Sequence, residues 1–233
     1  MFDTVIVMKI NKNIVKQFIK GIFVFVLFYF SSYLQLLPIW IFKIKNVTGY
    51  LEVLLSSFSN IILLGVLFFL YRKELKREFI VFKQNLANHL DIGFKGWLIG
   101  LFGMMVFNFI LTFLLKAGQA NNEQAVQTMI KSLPWLMLIN AGIIAPFIEE
   151  IVFRKCFKNI FESKYLFILT SGIFFGLMHV ITNSQSLLDF LFFIPYSSLG
   201  IAFAYIYYKT DTIFTSVVMH MIHNTLLILL SIL

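Results

Sequence analysis

Ala145-Pro146-Phe147-Ile148-Glu149-Glu150-Ile151-Val152-Phe153-Arg154 sets two adjacent carboxylates and a guanidinium inside a run otherwise apolar enough to cross a bilayer. An ionisable side chain in hydrocarbon costs several kcal/mol, so a chain keeps one there where it has a partner or a task. Two later apolar runs carry polar groups of their own, Phe175-Gly176-Leu177-Met178-His179 and His220-Met221-Ile222-His223-Asn224. These three stretches are expected to meet inside the membrane and form a catalytic site.

The rest of the composition fits that placement. The 233 residues are 60% hydrophobic, 18% aromatic and only 13% charged, with a mean hydropathy of +0.88. A soluble domain has about half its residues apolar and about a quarter charged, so a water-washed globular enzyme is excluded. The chain reads as an all-α, polytopic transmembrane bundle. At ~20 residues per span there is room for roughly six to eight helices and none for a sizeable soluble domain. We expect one domain, 1–233, with N-terminal spans and an amphipathic segment over 1–132 and a motif-bearing core over 133–233. The net charge of +8 does not point to nucleic acid, because Lys and Arg collect in short loops where they set orientation and meet anionic headgroups. Cys156, the single cysteine, allows no intrachain disulfide and fits no metal or redox spacing.

Seven spans are expected, at about 18–42, 51–71, 96–115, 134–161, 165–182, 187–208 and 212–233. Lys9, Lys12, Lys16 and Lys20 precede the first apolar run. That run is too long for a signal-peptide core and lacks a small-residue cleavage site, so it reads as an uncleaved span. The basic stretch 72–95, with Phe79, Ile80, Phe82 and Leu86 among its charges, reads as an amphipathic segment lying on the headgroups. Residues 118–131 read as a polar loop. Lys and Arg concentrate on the side shared by the N-terminal arm, residues 72–95, residues 154–164 and Lys209. This predicts a cytoplasmic N-terminus and an external C-terminus.

At ~1.5 Å per residue from the basic side, Glu149 lies roughly 16 Å deep, His179 roughly 21 Å, and His220 and Asn224 roughly 12 and 18 Å. Unrelated polar residues have no reason to agree in depth, so the agreement argues for a shared cavity. Facing agrees too. His220 and Asn224 are four apart, as are Phe175 and His179, and each pair shares a helix face. Gly172 and Gly176 let a neighbouring helix pack closely beside His179. Pro146 removes a backbone hydrogen bond just before Glu149 and is expected to kink that helix.

Glu150 precedes Arg154 by one turn, the favourable order for a helical ion pair, and reads as a structural pair neutralising both charges. Glu149 points elsewhere with no local partner, which makes it the candidate general base. His179 and His220 at matching depth with a Glu and an Asn complete a site. His223 reads either as a support for the site or as an interfacial residue. Asn108 and Asn140 read as interhelical hydrogen-bonding residues.

At these residues the sequence resembles the CPBP intramembrane proteases, also called Abi or CAAX protease and bacteriocin-processing proteins, which include the type II CAAX prenyl endopeptidases. The family pattern is EExxxR, FxxxH and HxxxN. Here it reads Glu149-Glu150 with Arg154, Phe175 with His179, and His220 with Asn224. Each motif alone is weak; three in order, each on its own span, are specific. The resemblance covers roughly Leu133 to the C-terminus and implies a multi-pass endopeptidase cutting a peptide bond in or at the edge of the membrane. It implies that Glu149 activates water with His179, that His220 and Asn224 stabilise the oxyanion, and that Glu150 pairs with Arg154 or supports the site. Phe175 and His223 would support it as well.

Two chemistries stay open. Glu149, His179 and His220 could supply a catalytic divalent metal such as Zn²⁺ with an open position. Against that, HExxH spacing is absent, and Asn is a poor zinc ligand but a good oxyanion donor, so a metal-free mechanism is preferred. The expected partners are the lipid bilayer and a peptide or membrane-protein substrate, with no nucleic acid, in a bacterial plasma membrane. Competing readings are a non-catalytic immunity or regulatory partner on the same scaffold and a haem- or metal-binding membrane protein using His179 and His220.

Overall fold

Hydrocarbon supplies no hydrogen-bonding partner to the backbone, so each apolar run must satisfy its own peptide groups by coiling into a helix. The computed structural model describes residues 12–158, 160–161, 163–182 and 184–233, and every expected span is a helix in it. We label them α1 (Val15–Ile41), α2 (Gly49–Gln84), α3 (Leu86–Leu114), α5 (Pro134–Lys158), α7 (Leu187–Thr210) and α8 (Ile213–Ile232), all long and apolar enough to cross a membrane. The shorter apolar α6 (Lys164–Val180) is the fifth expected span, and α4 (Asn121–Ser132) is a small helix between α3 and α5. The chain is a multi-pass, all-helical membrane protein. Lys9 lies outside the described residues.

Two segments differ from the sequence reading. The basic stretch after Tyr71 is no separate amphipathic piece, because α2 runs unbroken for 36 residues to Gln84. Glu74, Leu75, Lys76, Arg77 and Glu78 are good helix formers with no Gly or Pro among them. Leu75, Glu78 and Phe82 are buried, which holds this end of α2 against the bundle. Glu78 receives Lys155 Nζ at 2.5 Å, Tyr207 Oη at 3.2 Å and the Ile213 N–H at 2.9 Å. One buried carboxylate therefore joins α2, α5 and α7 and caps the start of α8. The expected polar loop is also partly helical. Val126, Met129, Ile130 and Leu133 recur at helical spacing and pack with Val53, Met137 and Ile228, a stripe obscured by the Asn121-Asn122-Glu123-Gln124 opening.

Helix α7 is the centre of the arrangement, with α6 on one flank and α3 on the other. The glycine pair singled out in the sequence makes this possible. A Cβ at Gly172 would meet the backbone of Ile201, with its Cα at 2.7 Å, and one at Gly176 would meet the Phe193 carbonyl and the Ser197 nitrogen. Gly200 likewise faces the Gly172 carbonyl at 2.6 Å. On the other flank Gly96 and Gly100 of α3 face Ile206 and Ala202. Large apolar side chains such as Trp40, Phe102 and Phe113 point outward, as a lipid-facing surface requires.

Two outcomes follow for stability in detergent. Gly172→Val places side-chain atoms on backbone that cannot yield and should cost about 3 kcal/mol or more. Gly65→Ala, where a Cβ meets nothing within 4 Å, should be neutral or stabilising; thermal melts distinguish the two. Lys155→Met strands the buried Glu78 and should cost about 3–5 kcal/mol, with much of the loss recovered in the double variant E78Q/K155M.

Candidate active site

The motif-bearing helix α5 is not a uniform α-helix. Residues Asn140–Ile144 and Ile151–Lys155 form two wide π turns, which bracket the α-helical segment Ala145–Glu150. Their i→i+5 bonds are Ala145 N–H to Asn140 O and Cys156 N–H to Ile151 O. Such turns concentrate at functional sites. The expected disruption at Pro146 takes this form: the ladder widens before the proline, which then sits in the first turn of a fresh α segment, where its missing N–H is tolerated. Asn140, in the first wide turn, accepts from Asn60 at 2.9 Å and donates to Ser56 at 3.2 Å, the interhelical role expected of it. No such side-chain bond is formed by Asn108 among the described residues.

Glu150 is fully buried. Its Oε1 lies 3.0 Å from His220 Nδ1, and its Oε2 lies 3.3 Å from Arg154 Nε. Arg154, also fully buried, donates to the Gly200 carbonyl at 3.3 Å and lies over the Phe175 ring at 4.4 Å. The pair predicted from the i,i+4 spacing is therefore formed, and it extends to an imidazole on α8 and a carbonyl on α7. Because Glu150 accepts at Nδ1, a proton sits there, and Nε2 is left facing the site.

Glu149 is turned the other way. Its Oε2 lies 3.6 Å from His220 Nε2 and 3.9 Å from His179 Nε2, with no hydrogen-bond partner among the described residues. His179 Nδ1 is 2.8 Å from the Phe175 carbonyl, an acceptor only, so here too Nδ1 carries the proton and Nε2 turns to Glu149. Three polar atoms from α5, α6 and α8 thus converge at separations too long for direct hydrogen bonds and short enough to share one small molecule. The Glu149 and His179 side chains are 18% and 19% exposed, whereas His220 is only 3% exposed. Access is therefore from the Glu149–His179 side, and His220 forms the floor.

The remaining two motif residues are placed differently. His223 is buried and receives Trp97 Nε1 at 3.4 Å, which makes it a packing contact to α3 rather than an interfacial residue. Asn224 stands one turn beyond His220 on α8, and its Nδ2 donates to the Ala141 carbonyl at 2.9 Å. Among the described residues no group of three or more His, Cys, Asp or Glu side chains is disposed to hold a metal ion. The zinc alternative would rest on Glu149, His179 and His220, and no step is derived through a metal.

Helix α7 carries none of the three motifs, yet it backs the whole site. Tyr196 stacks on His179 with ring centroids 4.7 Å apart. Gly200 accepts from Arg154, Phe203 stacks on His220 at 4.7 Å, and Tyr207 donates to Glu78. Their spacing of i, i+4, i+7 and i+11 is one helix face. That stripe was readable in the sequence, but nothing in it resembles catalytic chemistry.

Comparison with known proteins points to the same stretch of the chain. Residues 131–226 match the family model described as Rce1-like, type II CAAX prenyl endopeptidase Rce1-like, a range that contains all three motifs. The chain is 28% identical over 152 residues to "Putative membrane peptidase YdiL" of Bacillus subtilis (strain 168), covering 64% of this chain and 59% of that protein. It is 30% identical over 110 residues to "UPF0177 protein YaiF" of Lactococcus lactis subsp. lactis (strain IL1403), covering 47% of each. The chain thus spans between about half and three fifths of the length of these curated relatives. No solved structure matches it. By way of residues 131–226, the chain is similar to the Rce1-like family of type II CAAX prenyl endopeptidases.

Proposed function

We propose that this chain is an intramembrane endopeptidase in which Glu149 and His179 activate a water molecule and His220, carrying a proton on Nε2 as well as on Nδ1, donates to the charge that develops on the scissile carbonyl. The observation that carries the reading is the convergence of Glu149 Oε2 with the Nε2 atoms of His179 and His220 at 3.9 and 3.6 Å. A water seated among them donates to Glu149 and to His179 and directs its free lone pair outward. Attack on a peptide carbonyl passes the water proton to Glu149 and forms a tetrahedral oxyanion. Collapse breaks the C–N bond, and Glu149 returns the proton to the departing amine, leaving an amine and a carboxylic acid that loses its remaining proton to water. A general base contributes about 10²–10⁴-fold, and a fixed donor at the oxyanion contributes about 10²–10³-fold.

Glu150 and Arg154 do no chemistry in this scheme. Glu150 holds the Nδ1 proton and sets the direction of His220, and Arg154 balances the Glu150 charge. The substrate is a peptide or a membrane-associated protein segment, and the setting is a bacterial plasma membrane; the peptidase name of the Bacillus subtilis relative supports both. We favour a metal-free mechanism, supported by the absence of HExxH spacing among the motifs.

The test uses purified full-length protein in detergent and a tryptic-peptide library made from total membrane protein, with new termini read by mass spectrometry. The parent chain should generate new termini. Glu149→Gln, His179→Ala and His220→Ala should each lower turnover by at least about 100-fold while melting cooperatively. Turnover retained in Glu149→Gln would overturn the general-base role. Activity lost on treatment with 1,10-phenanthroline and restored by Zn²⁺ would overturn the metal-free mechanism.

A further inference from the structure

In the wide turn before Pro146 the backbone ladder runs i→i+5, as the bond from Ala145 N–H to Asn140 O records. The next bond of that register would join the N–H of residue 146 to the Ala141 carbonyl. Residue 146 is proline and has no N–H to give. The Ala141 carbonyl is therefore left without its backbone donor by the same residue that resets the helix. Inside a membrane an unpaired carbonyl costs several kcal/mol. Asn224 Nδ2, reaching across from α8, donates to that carbonyl at 2.9 Å.

The approach of α8 is built for this contact. Gly142 is buried beside Ala141, and a Cβ there would lie 3.0 Å from Thr225 Oγ1 and 3.7 Å from Thr225 Cα. Side chains larger than glycine at 142 would hold α8 off. On the opposite side Asn140 ties the same turn to α2.

We propose that Asn224 is a positioning residue: it replaces the backbone donor missing at Pro146 and so fixes the rotational phase of Ala145–Glu150, which aims Glu149 at His179 and His220. This departs from the oxyanion role that the family resemblance implies for Asn224. Its kinetic consequence rests on the proposed peptidase reading, whereas its structural consequence does not.

The two roles separate in a double-mutant cycle with Pro146. P146A restores an N–H at the position that the Ala141 carbonyl lacks. If Asn224 supplies the missing donor, N224A lowers both the thermal midpoint and kcat in the parent chain. With a misplaced base, kcat should fall by about 100-fold with KM little changed. In the P146A background the same N224A substitution should cost at most a few-fold in kcat and little in thermal midpoint. Equal costs of N224A in the two backgrounds, in both measurements, would overturn the proposal and return Asn224 to the oxyanion. The thermal arm is read on the full chain in detergent without substrate. Non-additive midpoints with no cleavage of the peptide library would sustain the positioning role and sink the peptidase reading instead. Gly142→Ala gives an independent check: crowding Thr225 should reproduce the N224A phenotype in part, and full activity in Gly142→Ala together with additive midpoints in the cycle would count against the contact.

Discussion

A carboxylate with no access to solvent governs this structure. Glu150 is fully buried, and an isolated charge there would be intolerable. It is met by Arg154 on its own helix and by His220 on α8, and these two obligations set most of what surrounds them. Arg154 must in turn be accommodated, which it is by the Gly200 carbonyl and by the faces of Phe175 and Phe203. His220, held through Nδ1, has only one direction left for Nε2. The neighbouring Glu149 is then free of structural duty, and its carboxylate lies where two imidazoles face it. Adjacent glutamates with opposite assignments thus follow from helix geometry: consecutive residues project about 100° apart, one into the packed interior and one into the site.

The same logic explains the central position of α7. Charged groups inside a bundle need close, shaped walls, and α7 supplies them from a single face through Tyr196, Gly200, Phe203 and Tyr207. Glycines at 172, 176 and 200 bring α6 near enough for His179 to reach the site. At the basic end, Glu78 performs for α2, α5, α7 and α8 the joining task that Glu150 performs nearer the middle.

Much of this was legible in the sequence, and the reasons are physical. Spans declare themselves because hydrocarbon demands long apolar runs, and polar groups within such runs stand out against them. The Glu150–Arg154 pair and the convergence of Glu149, His179 and His220 could be anticipated from spacing and depth. The continuation of α2 past Tyr71 could not, since burial of Glu78 depends on Lys155 and Tyr207, distant in sequence. Nor could the wide turns around Ala145–Glu150, because an i→i+5 register has no composition of its own. The placement of Asn224 depended on that register and was hidden with it. Helix α7 was overlooked for another reason: walls are made of ordinary aromatic and small residues.

The two π turns of α5 have a consequence for how this helix tolerates change. Each encloses one residue more than an α turn, so the motif segment hangs between two surplus residues whose removal would leave a chain of unaltered chemistry. Losing any one residue between 140 and 144 would return the ladder to i→i+4 spacing, drive the Pro146 ring against a carbonyl, and swing Glu149 by about 100° off the imidazoles. The helix is thus indifferent to many exchanges of one apolar side chain for another and intolerant of a change in count. Its length, rather than its lettering, is the quantity that inheritance must preserve.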